Sequence, residues 1–437
     1  MSPLLIASFF LLALPLRASE NEPYNVVLIG FDTLRADHTG FGGYSRPVTP
    51  NLDRLSGKSC VFTQAVTQAP WTLPSFMSIF TSLYPHDHRM VNKFASFASE
   101  HMELSKLSSS IVTLAQVFKE NGFATAAFTG GAGVKGDFGF KNGFDLYSDS
   151  RTFGGFRDTV PQAAAWLRKP RAAPFFLFLH GYEAHGQYPV SPDFKSRFAD
   201  PRYLGRFKGT PEESRALRIQ TVKNEPIVVS TADVRFLMDR YDERILRGDE
   251  QLGRFLETLR ELKLDGRTVI VALSDHGEQF DEHGGFDHGT NLYEELIHVP
   301  LLIHVPSQAP SRVDSQVRLI DVMPTLIDLL HLRISQGARR QMEGVSLKPL
   351  MDGKPLDIDA FSETDFLLHV FKRSLRTNPG WKLIYDINMD GEDRDELYDL
   401  KKDPREKYDL VKRSPGASGS LKEKLLHLMT PEAETAR

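Results

Sequence analysis

The chain contains a single cysteine, Cys60, among its 437 residues. One cysteine excludes an internal disulfide framework and a metal site built from several thiolates. Basic residues are not in excess either: 53 lysines and arginines face 57 aspartates and glutamates, and the formal net charge is −4. Because nucleic-acid-binding proteins carry a basic face, we expect no nucleic-acid partner. The length is sufficient for one large domain and a smaller one.

Long hydrophobic runs are also scarce, and the one that stands out lies at the N-terminus. Residues 4–16 are almost wholly apolar, and small residues follow them at Ala18 and Ser19. About 20 residues are needed to span a bilayer, so this run predicts a signal peptide over residues 1–19 and only secondarily a short membrane anchor. We therefore expect a periplasmic or secreted protein with no membrane span after processing.

Two apolar runs, far apart in the chain, end in side chains that bind cations. The run 26–31 is followed by Asp32, and the run 268–273 is followed closely by Asp275 and His276. Such runs are typical of buried parallel strands. Ligands of open α/β sheets bind at the carboxyl ends of the strands, so we expect these three side chains to meet in one crevice. Two carboxylates beside an imidazole predict a metal site.

The rest of the chain alternates between strand and helix signals. Apolar runs predict strands at 124–128, 175–179 and 301–305, and an apolar stripe at helical spacing predicts a helix over 233–262. The alternation predicts an α/β fold with a mostly parallel central sheet and helices on both faces. Short runs at 369–375, 381–385 and 396–400 predict a small antiparallel C-terminal subdomain. The expected division is a signal peptide (1–19), an α/β domain (22–335) with a polar insertion (193–231), an α+β subdomain (340–412) and a polar tail (413–437).

The segment 71–81 contains a candidate nucleophile. Pro74 and Ser75 suit the first turn of a helix, which puts Thr72 at or just before the helix N-terminus. Free N–H groups and the helix dipole favour anions there. A hydroxyl beside a divalent cation can ionise and attack, although a capping threonine is the simpler interpretation.

These residues belong to an ordered series of motifs: Phe31-Asp32-Thr33-Leu34-Arg35-Ala36-Asp37-His38, Thr49-Pro50-Asn51-Leu52-Asp53-Arg54-Leu55, Pro74-Ser75, Ser274-Asp275-His276-Gly277-Glu278, Glu282-His283-Gly284, His288-Gly289, and Leu397-Tyr398-Asp399-Leu400 with Asp403-Pro404 and Glu406. The series resembles the sulfatase family of the alkaline-phosphatase-like superfamily, from about Asn25 to Leu410. The resemblance implies the fold of that superfamily and the hydrolysis of sulfate or phosphate esters at a metal centre.

The resemblance also implies roles by position. Asp32, Asp275 and His276 match metal ligands, and Thr72 matches the nucleophile that also contacts the metal. His185 matches a histidine that faces the anionic group or the leaving oxygen of the substrate.

His288 matches a cationic or hydrogen-bonding group on the opposite side of the site. His283 is a further candidate for substrate binding, although loop histidines often serve only as hydrogen-bonding groups.

The sequence departs from the family pattern at several of these positions. Typical sulfatases carry Cys or Ser at the nucleophile position and oxidise it to formylglycine, whereas Thr72 has the wrong side chain for that oxidation. Phe76 stands where the motif has arginine, Thr33 replaces the usual second acid, and His276 stands where asparagine is common. Because imidazole suits zinc and manganese, these two ions are favoured over calcium, which prefers oxygen ligands.

Two further points stay open at this stage. Glu183, His185 and His288 are candidates for a second metal ion, but histidines also bind substrate anions directly. Lys93 is a candidate to replace the missing arginine charge, although a solvated lysine is the simpler interpretation.

The departures resemble the branch with a threonine nucleophile, which includes phosphodiesterases, phosphonate ester hydrolases and phosphoethanolamine transferases. The favoured hypothesis is an exported metal-dependent hydrolase in which Thr72 forms a covalent intermediate, with phosphate or phosphonate esters preferred over sulfate esters. The alternatives are a sulfuric ester hydrolase of the arylsulfatase type, a phosphoethanolamine-type transferase and a non-catalytic anion-binding homologue. The expected partner is a small-molecule, glycan or lipid ester, and the oligomeric state stays open.

Overall fold

The computed structural model describes residues 24–94, 103–186, 197–306, 308–378, 380–387 and 394–429. The predicted signal peptide, the first residues of the predicted insertion and residues 430–437 lie outside these ranges. The strands are β1 (Asn25–Phe31), β2 (Cys60–Val66), β3 (Ala124–Phe128), β4 (Leu146–Ser148), β5 (Phe175–Gly181), β6 (Thr268–Leu273), β7 (Gln279–Phe280), β8 (Phe286–Asp287), β9 (His298–His304), β10 (Ser311–Arg318), β11 (Ala360–Phe366), β12 (Val370–Arg376), β13 (Trp381–Asp386) and β14 (Glu396–Asp399).

The helices between these strands range from a single turn to 31 residues. They are α1 (Pro50–Ser56), α2 (Thr72–Thr81), α3 (Pro85–His88), α4 (Leu114–Glu120), α5 (Phe156–Leu167), α6 (Pro211–Val222), α7 (Thr231–Glu261), α8 (Glu294–Ile297), α9 (Val322–Leu329), α10 (Gln336–Gln341), α11 (Lys348–Met351) and α12 (Pro415–Met429). Short 3-10 turns lie at Ala36–His38, Ala132–Val134, Gly136–Phe138, Asp265–Arg267 and Leu319–Asp321.

The central sheet has eight strands in the order β10-β2-β9-β6-β1-β5-β3-β4. β9 runs antiparallel to both of its neighbours, and the other strand pairs are parallel. The prediction of a mostly parallel sheet is therefore confirmed. β1 lies between β6 and β5, with Gly30 opposite Leu273 and His180. This register brings the carboxyl ends of the three central strands to one level.

Alternate side chains of the central strands enter two separate hydrophobic cores, as expected for a sheet covered on both faces. On one face Val26 and Leu28 pack with residues of α2, α4 and α9. On the other face Val27 and Ile29 pack with residues of α1, α5 and α7. Burial on both faces explains why these strands are continuous apolar runs in the sequence.

Helix α7 begins at a capping box in which the Ser230 side chain accepts the Asp233 N–H and Asp233 bonds back to the Ser230 N–H. Several acids of this helix are buried, and each holds another segment. The Asp249 carboxylate accepts the N–H groups of Asn51 and Leu52 at 2.8 Å each. A distant acid therefore caps α1, while the Thr49 side chain makes no capping hydrogen bond.

The C-terminal unit is a four-stranded antiparallel sheet in the order β11-β12-β13-β14, which confirms the predicted antiparallel subdomain. Helix α12 packs on it, with Leu421 and Leu425 buried against Phe361, Leu375 and other residues of the sheet. The expected polar tail is therefore helical over residues 415–429 and belongs to this unit. Its apolar positions are few, but they are spaced one helical turn apart on one face.

A buried ion cluster joins the C-terminal unit to the central domain. The Lys382 ammonium is fully buried and lies 2.7 Å from Glu406 Oε1 and 3.1 Å from Glu294 Oε1. Arg376 contacts the other oxygen of Glu294 at 2.8 Å. Glu406 belongs to the C-terminal motif, and its carboxylate also accepts the Glu294 N–H. This motif residue therefore fixes the position of the two units relative to each other.

Across the described ranges, none of the helices combines the length and the apolar character required for a transmembrane segment.

Replacing Leu425 with alanine should lower the free energy of unfolding by about 2–4 kcal/mol, because it leaves a cavity under α12. The measurement is urea unfolding followed by circular dichroism. Leu428, which is 41% exposed on the same helix, provides the matched control, and its replacement should change stability by less than about 0.5 kcal/mol. Equal effects of the two substitutions would contradict the packing of α12 described above.

Candidate active site

Asp32 and Asp275 lie side by side where β1 and β6 end. Both are completely buried. The Asp32 N–H donates to the carbonyl of Gly181 at 3.1 Å, and the Thr33 N–H donates to Asp275 Oδ1 at 3.3 Å. Thr33 adopts a positive φ of 59°, which turns the chain so that its N–H reaches the neighbouring strand. The backbone itself therefore holds the two carboxylates together.

Thr72 is the first residue of α2, as predicted, and its hydroxyl lies against these acids. Its Oγ1 donates to Asp32 Oδ2 at 3.2 Å and lies 3.4 Å from His276 Nε2. The Ser75 hydroxyl donates to the carbonyl of Asp275 at 2.7 Å, so α2 is tied to the end of β6. The structure thus brings together all four residues expected to hold the metal, although 243 positions separate Asp32 from Asp275 along the chain.

The described protein atoms do not neutralise the negative charge of Asp32 and Asp275. Asp32 Oδ1 and Asp275 Oδ2 are buried and have no hydrogen-bond partner among the described residues. Burial, and then the nearby Asp275, raises the pKa of Asp32 well above its usual range. Burial raises the pKa of Asp275 to about 7. Burying two adjacent carboxylates away from water costs free energy unless a cation neutralises their charge.

The geometry of the donors fits a divalent cation. Ligand atoms of Asp32, Asp275 and His276 lie within 4.8 Å of one another. His276 Nδ1 donates to the carbonyl of Gly277 at 2.8 Å, which leaves the lone pair on Nε2 facing the acids. Burial lowers the pKa of His276 well below its usual value. A neutral imidazole fixed by a carbonyl is the usual form of a metal-binding histidine.

His288 differs from His276 because its partners are charged. Its Nδ1 lies 3.0 Å from Glu278 Oε1 and 3.1 Å from Asp287 Oδ1. Burial lowers the pKa of His288, but the charges of Asp287 and Glu278 outweigh burial, and the net shift is upward. The ring centroid lies 4.4 Å from that of His276. The structure therefore places His288, paired with two carboxylates, beside the candidate metal ligands.

His185 reaches the same site from the segment after β5. Its Nδ1 donates to the carbonyl of Gly186 at 3.1 Å, so Nε2 carries the lone pair. Burial, and then the charge of His288, lowers the pKa of His185 well below its usual value. Its ring lies 4.9 Å from that of His288. His185, with an acceptor at Nε2, thus lies next to His288, whose ring is paired with carboxylates.

Two candidates from the sequence lie elsewhere. His283 bonds to Glu295 at 2.7 Å and to the carbonyl of Glu406 at 3.0 Å, and it stacks on Tyr293. One ring nitrogen is thus occupied by a residue of α8 and the other by the C-terminal unit, so the His283 ring is held in this contact. Glu183 accepts the Arg157 N–H at 3.1 Å, in the first turn of α5, so its carboxylate faces that helix.

Because Glu183 faces α5, the three residues considered for a second metal ion (Glu183, His185 and His288) lack a carboxylate at the site. A different group, Glu278, Asp287 and His288, has its ligand atoms within 4.8 Å of one another. However, Arg218 lies 2.6 Å from Asp287, and His288 is itself a cation there. Arg218 therefore offsets part of the negative charge of this cluster.

His180 is a site residue that the sequence analysis did not identify. Its Nε2 lies 3.5 Å from Asp32 Oδ2 and, within the described ranges, has no hydrogen-bond partner. Burial lowers its pKa to about 3. In the sequence His180 is simply the residue after the apolar run 175–179. Its position near the carboxyl end of the strand next to β1, opposite Gly30, is the signal that would have identified it.

The comparisons with known proteins agree with this geometry. The sulfatase family model matches residues 24–332, and the model for the C-terminal part of N-sulphoglucosamine sulphohydrolase matches residues 281–430. The chain belongs to the sulfatase family. Its fold is that of the alkaline-phosphatase-like sulfatases, and like them it is a hydrolase of ester bonds.

Individual sulfatase-family relatives cover most of the chain at low identity. Arylsulfatase K of Bos taurus is 24% identical over 455 residues, which cover 92% of this chain and 81% of the relative. Delta 4,5-hexuronate-2-O-sulfatase of Bacteroides thetaiotaomicron is 22% identical over 434 residues, which cover 90% and 86%. The solved phosphonate monoester hydrolase of Agrobacterium radiobacter has a TM-score of 0.71 at 20% identity and covers 93% of this chain and 95% of its own.

Phe76, at the position of the sulfatase motif's arginine, is a core residue. Its ring is fully buried and packs against Phe178 and His180, with centroids 5.6 and 5.0 Å apart. It fills the space above Gly30, where an added Cβ would lie 2.6 Å from the ring. The half-buried Lys93 lies within electrostatic reach of Asp32: burial and Arg218 lower its pKa, and Asp32 opposes them.

Replacing Asp275 with asparagine should weaken the binding of Zn²⁺ or Mn²⁺ by at least about tenfold, because a charged ligand is lost. The measurement is competition with a chelator of known affinity, with circular dichroism to verify folding. Replacing the exposed Asp137 with asparagine is the control and should leave affinity unchanged. Unaltered metal binding by the Asp275 variant would contradict a metal site at the ends of β1 and β6.

Proposed function

We propose that this sulfatase-family protein is an exported, metal-dependent hydrolase of phosphate or phosphonate esters, with Thr72 as a nucleophile that forms a covalent intermediate. The observation that carries the proposal is the position of the Thr72 hydroxyl. It lies within hydrogen-bond distance of Asp32 and close to His276, in a buried group with unbalanced negative charge.

Asp32, Asp275, His276 and Thr72 would hold the divalent ion, with zinc or manganese favoured because of the imidazole and calcium as the alternative. When bound, such an ion lowers the pKa of a neighbouring hydroxyl and neutralises charge on the oxygens of the substrate.

The protein residues supply the remaining parts of the reaction. Thr72 Oγ1 donates its hydrogen bond to Asp32 Oδ2, so this carboxylate is the neighbouring base through which the hydroxyl proton leaves. The oxygen attacks phosphorus, a bond from phosphorus to Thr72 Oγ1 forms, and the bond from phosphorus to the leaving alcohol breaks. Water then cleaves the phosphothreonine and regenerates the hydroxyl.

His288 and His185 suit two different tasks in this sequence. The imidazolium of His288, held by Glu278 and Asp287, can donate a proton from Nε2 to the leaving oxygen or a hydrogen bond to a non-bridging oxygen. Neutral His185 presents an acceptor, which can bind a hydroxyl of the substrate or orient the water of the second step. Their adjacent rings place both tasks at one end of the site.

The preference for phosphorus over sulfur follows from Thr72. A secondary alcohol cannot be oxidised to the aldehyde that typical sulfatases use, and Phe76 removes one charge that binds the sulfate group. The alternative within the same family is a sulfuric ester hydrolase. It is favoured by relatives such as arylsulfatase K, whereas the phosphonate monoester hydrolase shows that the same fold also serves phosphorus chemistry.

Replacing Thr72 with alanine should lower kcat by at least about 1,000-fold, because the covalent step is lost. Replacement with serine retains a hydroxyl and should preserve far more of the activity. Turnover and metal content are measured on the same samples, so that loss of the metal is distinguished from loss of the nucleophile. An alanine variant with full turnover would exclude the covalent mechanism.

The preference for phosphorus can be measured with esters of one alcohol. The 4-nitrophenyl esters of sulfate, phosphate, phenyl phosphate and phenylphosphonate share a leaving group, so differences in kcat/KM report the anionic centre. We expect the phosphate and phosphonate esters to exceed the sulfate ester by at least about tenfold. A higher kcat/KM for the sulfate ester would establish the sulfuric ester hydrolase instead.

A further inference from the structure

Four aromatic rings lead from the nucleophile to the surface. The ring of His276, next to Thr72, lies 4.4 Å from that of His288. His288 lies 4.9 Å from His185, and His185 lies 4.8 Å from Phe153. Exposure rises along this series from 0% at His276 to 6% at His288, 7% at His185 and 44% at Phe153. Phe153 therefore stands at the mouth of the site.

The backbone presents this ring in a conformation that favours glycine. Phe153 has a φ of 61°, although glycines follow at positions 154 and 155. Such conformations persist where surrounding contacts fix them. Here the Gly154 N–H donates to the carbonyl of Gly130 at 3.0 Å, and the Tyr182 N–H donates to the carbonyl of Gly154 at 3.2 Å. Both backbone groups of Gly154, the residue next to the exposed ring, are thus anchored.

Phe153 also borders a cavity of about 450 Å³. Its walls include Tyr182, Arg157, Arg244, Arg247 and Glu250. This volume lies in the range of pockets that hold molecules of drug size, roughly 300–1,000 Å³. A leaving group that projects from the reacting centre past His185 would therefore meet an aromatic face and then a polar space.

We propose that Phe153 is a specificity-determining residue of this enzyme: its ring packs against an aromatic or sugar ring on the substrate, and the remainder of the substrate enters the arginine-lined cavity. This inference rests on the proposed function, because it assumes that the anionic centre binds at Thr72. Substrates whose leaving group is a small acyclic alcohol would contact neither the ring of Phe153 nor the cavity.

The experiment is calorimetric titration of the Zn²⁺-reconstituted protein with phenylphosphonate and with methylphosphonate. The two share the anionic group and differ in the ring. Phe153→Ala should weaken phenylphosphonate about five- to tenfold and methylphosphonate less than about twofold. Phe153→Tyr keeps the ring and should bind both almost as the native protein does. Leu146→Ala removes a side chain that is similarly exposed (43%) on β4 and should change neither.

The outcomes separate this inference from the function on which it rests. If Phe153→Ala weakens both phosphonates equally, or neither, the role of Phe153 is overturned and the proposed function stands. If the native protein binds neither compound, the anionic site itself is overturned, and the role of Phe153 with it.

Discussion

The site depends on one electrostatic constraint: two carboxylates, Asp32 and Asp275, are buried next to each other at the ends of adjacent strands. The cost of placing them there is compensated only partly by the Thr72 hydroxyl and the Thr33 N–H, since one oxygen of each acid has no partner among the residues that the structure describes. A cation is what makes the arrangement favourable. Once a cation is required, the hydroxyl of Thr72 and the free nitrogen of His276 are its natural further ligands, because both already face the same point. The register of β6, β1 and β5 therefore determines the chemistry of the site together with the side chains.

The same constraint explains how the histidines differ. His276 and His185 each donate Nδ1–H to a main-chain carbonyl and stay neutral because they are buried. His288 Nδ1 instead lies against two carboxylates, Glu278 and Asp287, which raise its pKa. Similar rings within a few ångströms thus suit different tasks, and the difference comes from the partner of one nitrogen. Arg218 adds to this pattern, since it pairs with Asp287 and offsets part of the negative charge of that cluster.

Local sequence signals predicted much of the fold and the centre of the site. Apolar runs that are buried on both faces identified β1, β3, β5 and β6, and their terminal acids indicated the metal group. What could not be predicted depends on contacts between distant segments. The bonds that draw His283 to Glu295 and Glu406 require the C-terminal unit in place, and the cap that Asp249 provides for α1 comes from almost 200 positions away. The direction of Glu183 is likewise not readable from the sequence, because one residue decides whether a side chain after a strand faces the crevice or the adjoining helix.

Because Phe76 replaces the motif arginine, it is the main argument for a non-catalytic homologue. The surroundings of Phe76 give a physical argument against that alternative. The ring does not leave a gap where the arginine charge is missing. It packs on His180, whose imidazole lies against Asp32, so the substitution supports a residue of the site. A protein that only bound anions would gain nothing from two adjacent buried carboxylates, which repel an anion until a cation neutralises them. A hydroxyl placed between that cation and a carboxylate is an arrangement that binding does not need and nucleophilic attack does.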